Sequence, residues 1–73
     1  MNISNLFQIF EDVLEVKKKK LNLNSSINNL KSWDSVSHIN IIIEIEKKFK
    51  KKINPDQASN LTSIKKIKKF LKI

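Results

Sequence analysis

Trp33-Asp34-Ser35-Val36-Ser37-His38-Ile39-Asn40-Ile41-Ile42-Ile43-Glu44-Ile45-Glu46-Lys47-Lys48-Phe49 decides the fold. Asp and Ser are favoured helix N-caps, because their side-chain oxygens accept from the free N–H groups of the first turn. Apolar residues then recur at helical spacing, which predicts a helix from residue 35 to about 51. At 100° per residue, Val36, Ile39, Ile42, Ile43, Ile45 and Phe49 cover a wide apolar arc. Such an arc suits a central helix with neighbours on several sides. Ser37, Asn40, Glu44, Lys47, Lys48 and Lys51 fall on one narrow polar stripe, and Ile41 sits at its edge. Glu46 falls inside the apolar arc, a position that a snorkelling stem is able to accommodate.

Upstream, Ile3, Leu6, Phe7, Phe10, Val13 and Leu14 mark one buried face of a helix over residues 3 to about 17. Asn2 or Ser4 is placed to cap it. Lys17–Lys20 would close it, where positive charge suits the C-terminal dipole. Residues 20–34 hold Asn22, Asn24, Ser25, Ser26, Asn28 and Asn29, which compete with helix through local side-chain hydrogen bonds. Leu21, Leu23, Ile27, Leu30 and Trp33 punctuate them, so a long loop pinned to the core is expected, with Trp33 anchoring its end. Downstream, Pro55 suits a first helical turn, giving a short helix over 55–60. Thr62 or Ser63 then caps a last helix, 63–72, with Ile64, Ile67, Phe70 and Leu71 inward and Lys65, Lys66, Lys68, Lys69 and Lys72 outward. The expected fold is all-α: four helices in one domain over 1–73, with a long first loop and a short third helix.

Composition narrows the function. The chain has 73 residues, room for one core and no enclosed active site. Cysteine is absent, which removes disulfides and thiolate metal sites and fits a cytoplasmic protein. One histidine cannot build a zinc site alone. No apolar run approaches the length of a membrane span. Glycine is absent too, so there is no glycine-rich phosphate loop. The formal net charge is +8, and every basic residue is Lys. The charge is uneven: residues 47–73 hold ten lysines against Asp56 alone.

Ser35 is the one residue with promising chemistry. The start of a helix exposes free N–H groups and a partial positive charge, and a phosphodiester attached there is stabilised by both. Asp34 either caps the helix or lies beside the hydroxyl. A lone nucleophile with no base, metal ligands or pocket suggests a serine modified by another enzyme. Asp-Ser before an apolar helix is equally the signature of a plain cap.

The whole chain resembles the acyl carrier protein family, including carriers of peptide and aminoacyl units. Asp34-Ser35-Val36 matches that family's Asp-Ser-Leu at its attachment point. Ile39, Ile42, Ile43 and Ile45, then Glu46, Phe49, Ile53 and Pro55-Asp56, continue the family pattern. Leu61-Thr62-Ser63-Ile64 and Phe70-Leu71 resemble the start and end of its last helix. The resemblance implies a four-helix bundle of acyl-carrier type, and a 4′-phosphopantetheine arm transferred from coenzyme A to Ser35 by a phosphopantetheinyl transferase. Asp34 and Val36 would flank the arm. Its thiol would carry an acyl or aminoacyl group as a thioester to loading and transfer enzymes, sheltered by an apolar groove beside the second helix. It also implies a docking stripe at Ser37, Asn40 and Glu44.

Fatty-acid carriers in the family are strongly acidic along that stripe, and here its far end is positive, which weakens steering by a basic partner. Trp-Asp-Ser with a nearby His38 resembles small specialised carriers of lipid, surface-glycan, modified-sugar or secondary-metabolite assembly. His38 would either pack, half-buried, or touch the arm. Two other readings compete. A basic nucleic-acid-binding module is disfavoured by the absence of Arg. An unmodified carrier-fold interaction domain is disfavoured by the intact Asp34-Ser35-Val36. No general base, paired carboxylates or metal cluster points to an enzyme. A monomeric carrier that binds neither nucleic acid nor membrane is therefore expected.

Overall fold

In the computed structural model, which describes residues 3–73, four helices surround one apolar core. Helix α1, Ile3–Leu14, buries Leu6, Ile9, Phe10 and Leu14, with Phe7 and Val13 half-buried. Ile9, absent from the face read in the sequence, belongs to the core. Ser4 lies inside the helix and does not cap it, and Asn2 lies outside the described residues.

Helix α1 stops earlier than its sequence suggested. Glu15 turns into the left-handed region at φ 55°, and Lys18–Lys20 form a separate 3-10 turn. The lysine run therefore does not close α1. Lysine is a good helix former, but the turn brings Leu21 back into the core, where it is buried. Tertiary burial overrides local propensity here.

The loop that follows is ordered by its own polar side chains. The Asn24 N–H donates to Asn22 Oδ1 at 2.7 Å, and the Ser26 N–H donates to Asn29 Oδ1 at 2.9 Å. Buried Ser25 accepts the Asn22 N–H on its hydroxyl at 3.0 Å. The loop is also stitched to the start of the last helix. Ile27 N–H donates to Thr62 O at 2.9 Å, Ile64 N–H to Ser25 O at 3.0 Å and Lys65 N–H to Leu23 O at 3.1 Å. Ser26 and Ser63 make an isolated antiparallel bridge, and no strand forms among the described residues.

Helix α2, Ser35–Phe49, packs on α1. It buries Ile41, Ile42 and Ile45. This corrects the orientation read from the sequence. Ile41, placed at the edge, has 0% exposure, whereas Val36, Ile39 and Ile43, placed in the buried arc, are 69%, 60% and 42% exposed. The helix ends where Lys50 adopts φ 50° and its N–H returns to Glu46 O. Glu46 itself has a clear role. It is half-buried, and its Oε2 accepts the Ile53 N–H at 3.0 Å, tying down the loop that leads to the next helix.

Helix α3, Pro55–Asn60, starts with a capping box in which Asn54 and Gln57 satisfy each other's backbone N–H groups. Helix α4, Ile64–Leu71, is capped by the Ser63 hydroxyl, which accepts from Lys66 N–H at 3.2 Å. It buries Ile64 and Ile67, and Phe70 and Leu71 are half-buried. Lys51 Nζ lies 5.0 Å above the Phe70 ring, joining the far ends of α2 and α4. The result is an all-α bundle with a long first loop and a short third helix.

Candidate functional site

Trp33 fixes the position of everything that follows it. Its indole is 1% exposed and meets Phe10 of α1 edge-on, with ring centroids 4.8 Å apart at 64°. The loop thus ends on a rigid anchor one residue before the cap of α2. Asp34 is extended at φ −107° and ψ −171°, and its Oδ1 accepts the Ser37 N–H at 2.9 Å. The Asp34 carbonyl accepts the His38 N–H at 2.8 Å, starting the helix ladder.

Ser35 is the first residue of α2 and is exposed. Its hydroxyl has no hydrogen-bond partner among the described residues. The capping work is done by Asp34, which separates the two roles that the sequence left entangled. The Ser35 side chain is free, on a rigid element, at the positive end of a helix.

The Asp34 carboxyl titrates below its ordinary value. The largest cause is the Ser37 backbone N–H, opposed by a smaller desolvation effect and assisted by the Ser37 hydroxyl and the Val36 N–H. The folded state therefore binds a proton at Asp34 less readily than the unfolded state. Its contribution to stability is complete above the ordinary value of 3.8 and is lost as pH falls through the lowered folded value. Replacing Asp34 with Asn keeps a capping oxygen but removes the titration. Acid unfolding followed by circular dichroism should show a shallower pH dependence for Asp34→Asn below pH about 4.

His38, one turn beyond Ser35, is committed to structure. Trp33 Nε1–H donates to its Nδ1 at 3.0 Å, and its Nε2 lies 2.7 Å from Ala58 O. The indole leaves Nδ1 as the acceptor, so Nε2 carries the proton and donates to the carbonyl. The rings of Trp33 and His38 also stack, 5.9 Å apart at 26°. His38 thereby ties the start of α2 to α3 and holds the anchor in place. Its packing role, one of the two read from the sequence, is the one observed. His38→Ala orphans a buried indole N–H, which costs about 1–3 kcal/mol. Urea unfolding should show that loss, while the hydroxyl of Ser35 remains as reachable as before.

The polar stripe is split. Asn40 is exposed, Ser37 and Glu44 are half-buried, and Lys51 lies beyond the end of α2. Glu44 Oε1 is 3.9 Å from Lys47 Nζ, the one ion pair among the described residues. The outward side of α2 is instead occupied by Val36, Ile39 and Ile43. Ile39 and Ile43 continue into a groove of about 210 Å³ between α2 and α3, lined also by His38, Ile42, Ile53, Pro55 and Ala58. No His, Cys, Asp or Glu cluster among the described residues is able to hold a metal ion.

A free serine hydroxyl at a capped helix start, in a four-helix bundle with a long first loop, suits a serine that receives a group from elsewhere. The family model described as the phosphopantetheine attachment site matches residues 4–71. The chain belongs to this acyl carrier protein family. No curated protein matches the carrier closely enough to count as a relative. Carrier domains hold a covalently attached 4′-phosphopantetheine, are not themselves catalytic, and interact with phosphopantetheinyl transferases and acyl-handling enzymes. The residues around Ser35 fit such a group. The hydroxyl is exposed, the helix start favours a phosphodiester, and the one adjacent carboxylate, Asp34, is engaged with the Ser37 N–H. No helix among the described residues is long and apolar enough to cross a membrane.

Proposed function

We propose that residues 1–73 act as one carrier domain whose Ser35 holds the phosphopantetheine arm. The observation that carries this reading is the exposed, unpartnered Ser35 hydroxyl directly after the Asp34 cap, in a chain of the attachment-site family. A transferase brings coenzyme A to the first turn of α2. The Ser35 oxygen attacks the phosphorus that bears the pantetheine, and a phosphodiester forms. The pyrophosphate bond breaks, adenosine 3′,5′-bisphosphate departs, and the serine proton passes to the transferase's base. The thiol of the arm then holds an acyl or aminoacyl group as a thioester.

The carrier's own contributions are positional. Asp34 fixes the first turn by capping it, Val36 flanks the modified residue, and Trp33 holds the entering loop. The apolar groove between α2 and α3 offers shelter to an apolar cargo. Ser37, Asn40 and Glu44 contribute a polar edge to partner docking. The domain works as a monomer in the cytoplasm and makes or breaks no bond of the cargo itself. Its departures from the acidic pattern favour a specialised pathway over the housekeeping fatty-acid carrier.

The test is intact mass after incubation with coenzyme A, magnesium and a broad-specificity phosphopantetheinyl transferase. A gain of one phosphopantetheine supports the proposal. No gain with several transferases would make an unmodified interaction domain the better account.

A further inference from the structure

Four large apolar side chains stand exposed among the described residues, and three of them, Val36, Ile39 and Ile43, share one side of α2. Their spacing of three and four residues places them on one stripe that begins next to Ser35. Continued along the same side, the stripe reaches Lys47 and Lys50. Lys50 has no carboxylate within ion-pair distance among the described residues, and Lys47 meets only Glu44. The outward side of α2 is therefore apolar at its Ser35 end and positive at its far end. Contiguous exposed apolar surface rimmed by charge marks an interaction site.

We infer that the partner enzymes that meet this side of α2 present an apolar patch bordered by carboxylates. The inference rests on Ser35 being the attachment point. An enzyme that acts on a group at Ser35 must approach the first turn of α2. An interface of ordinary size covers about 800 Å² on each partner, and α2 is about 22 Å long. A partner seated over Ser35 consequently extends along the helix toward Lys47 and Lys50. Carboxylates there complement the lysines and steer the encounter, whereas a basic surface is repelled. The apolar stripe supplies the buried centre of the contact.

The test compares a broad-specificity phosphopantetheinyl transferase with a variant of it that carries Glu in place of the surface Lys and Arg nearest its carrier-binding cleft. The readout is kcat/KM for Ser35 modification. Wild-type carrier should be used better by the Glu-bearing transferase, by about tenfold at low salt, and the preference should shrink as salt rises. K47E/K50E should reverse the preference. I39S/I43S should lower the rate with both transferases by about fivefold or more, with an unchanged circular dichroism spectrum because both side chains are exposed. Preference of the wild type for the basic transferase, or undiminished modification of I39S/I43S, would overturn the inference and leave the carrier reading intact. Absence of modification by either transferase would sink the carrier reading and this inference with it.

Discussion

Ser35→Ala is expected to abolish phosphopantetheine attachment while leaving the fold in place. The loss should be complete, because in the proposed reaction the Ser35 hydroxyl oxygen forms the new bond. The fold should persist for three reasons. Asp34, and not Ser35, accepts the N–H of the first turn. The Ser35 hydroxyl has no partner to lose among the described residues. Alanine is also the better helix former at an exposed position. Circular dichroism and thermal unfolding should match the wild type, and intact mass should show no gain with coenzyme A and a transferase. Unfolding of the variant would mean that Ser35 serves α2 itself, against the geometry of its cap.

Trp33→Ala is expected to have the largest effect on stability. The substitution removes a fully buried indole, its edge contact with Phe10 and its hydrogen bond to His38. Large aromatic truncations in cores cost about 3–5 kcal/mol. Small domains hold only about 5–15 kcal/mol in total, and a chain of this size falls toward the lower end. Thermal unfolding should shift down by about 20 °C, at roughly 4–8 °C per kcal/mol, or lose its cooperative transition. Trp33→Phe keeps most of the packing and loses the indole N–H, so its shift should be much smaller. Equal losses in both variants would place the importance of Trp33 in its hydrogen bond to His38 alone.

The two variants probe neighbouring positions with opposite duties. Trp33 spends its side chain inward and holds the loop, and Ser35 leaves its side chain free. Asp34 between them satisfies the helix start. That division leaves position 35 rigid in backbone and open in side chain, which suits the proposed attachment point.

The parts of this design that were legible in the sequence are those with local causes. Asp34, Pro55 and Ser63 announce the starts of three helices through side chains that act within one turn. Trp33 was readable as an anchor because a lone large aromatic ends a polar loop. The end of α1 was not readable. The lysine run favours helix, and only the burial of Leu21 pulls the chain out of it. The orientation of α2 was also hidden. Its Val and Ile residues cover most of the helix circumference, so periodicity does not select which part of the arc is covered. Packing into the common core selects Ile41, Ile42 and Ile45 and turns Val36, Ile39 and Ile43 outward. The partners of His38 and Glu46 were invisible for a related reason. Ala58 lies 20 residues from His38, and Ile53 lies 7 residues from Glu46, across a turn whose path the sequence does not specify.

The same correction carries functional weight. Hydrophobic residues assigned to the core turned out to be the exposed stripe beside Ser35. The polar residues expected to dock partners form its edge, with Ser37 and Glu44 half-buried.

The most direct measurement is tandem mass spectrometry of the carrier after modification, with the arm mapped to a residue. One arm per chain is expected on the peptide that contains Ser35, with fragment ions placing it between Asp34 and Val36. An arm on Ser37, Ser32 or any other hydroxyl, or a chain that stays unmodified, would contradict the assignment of Ser35.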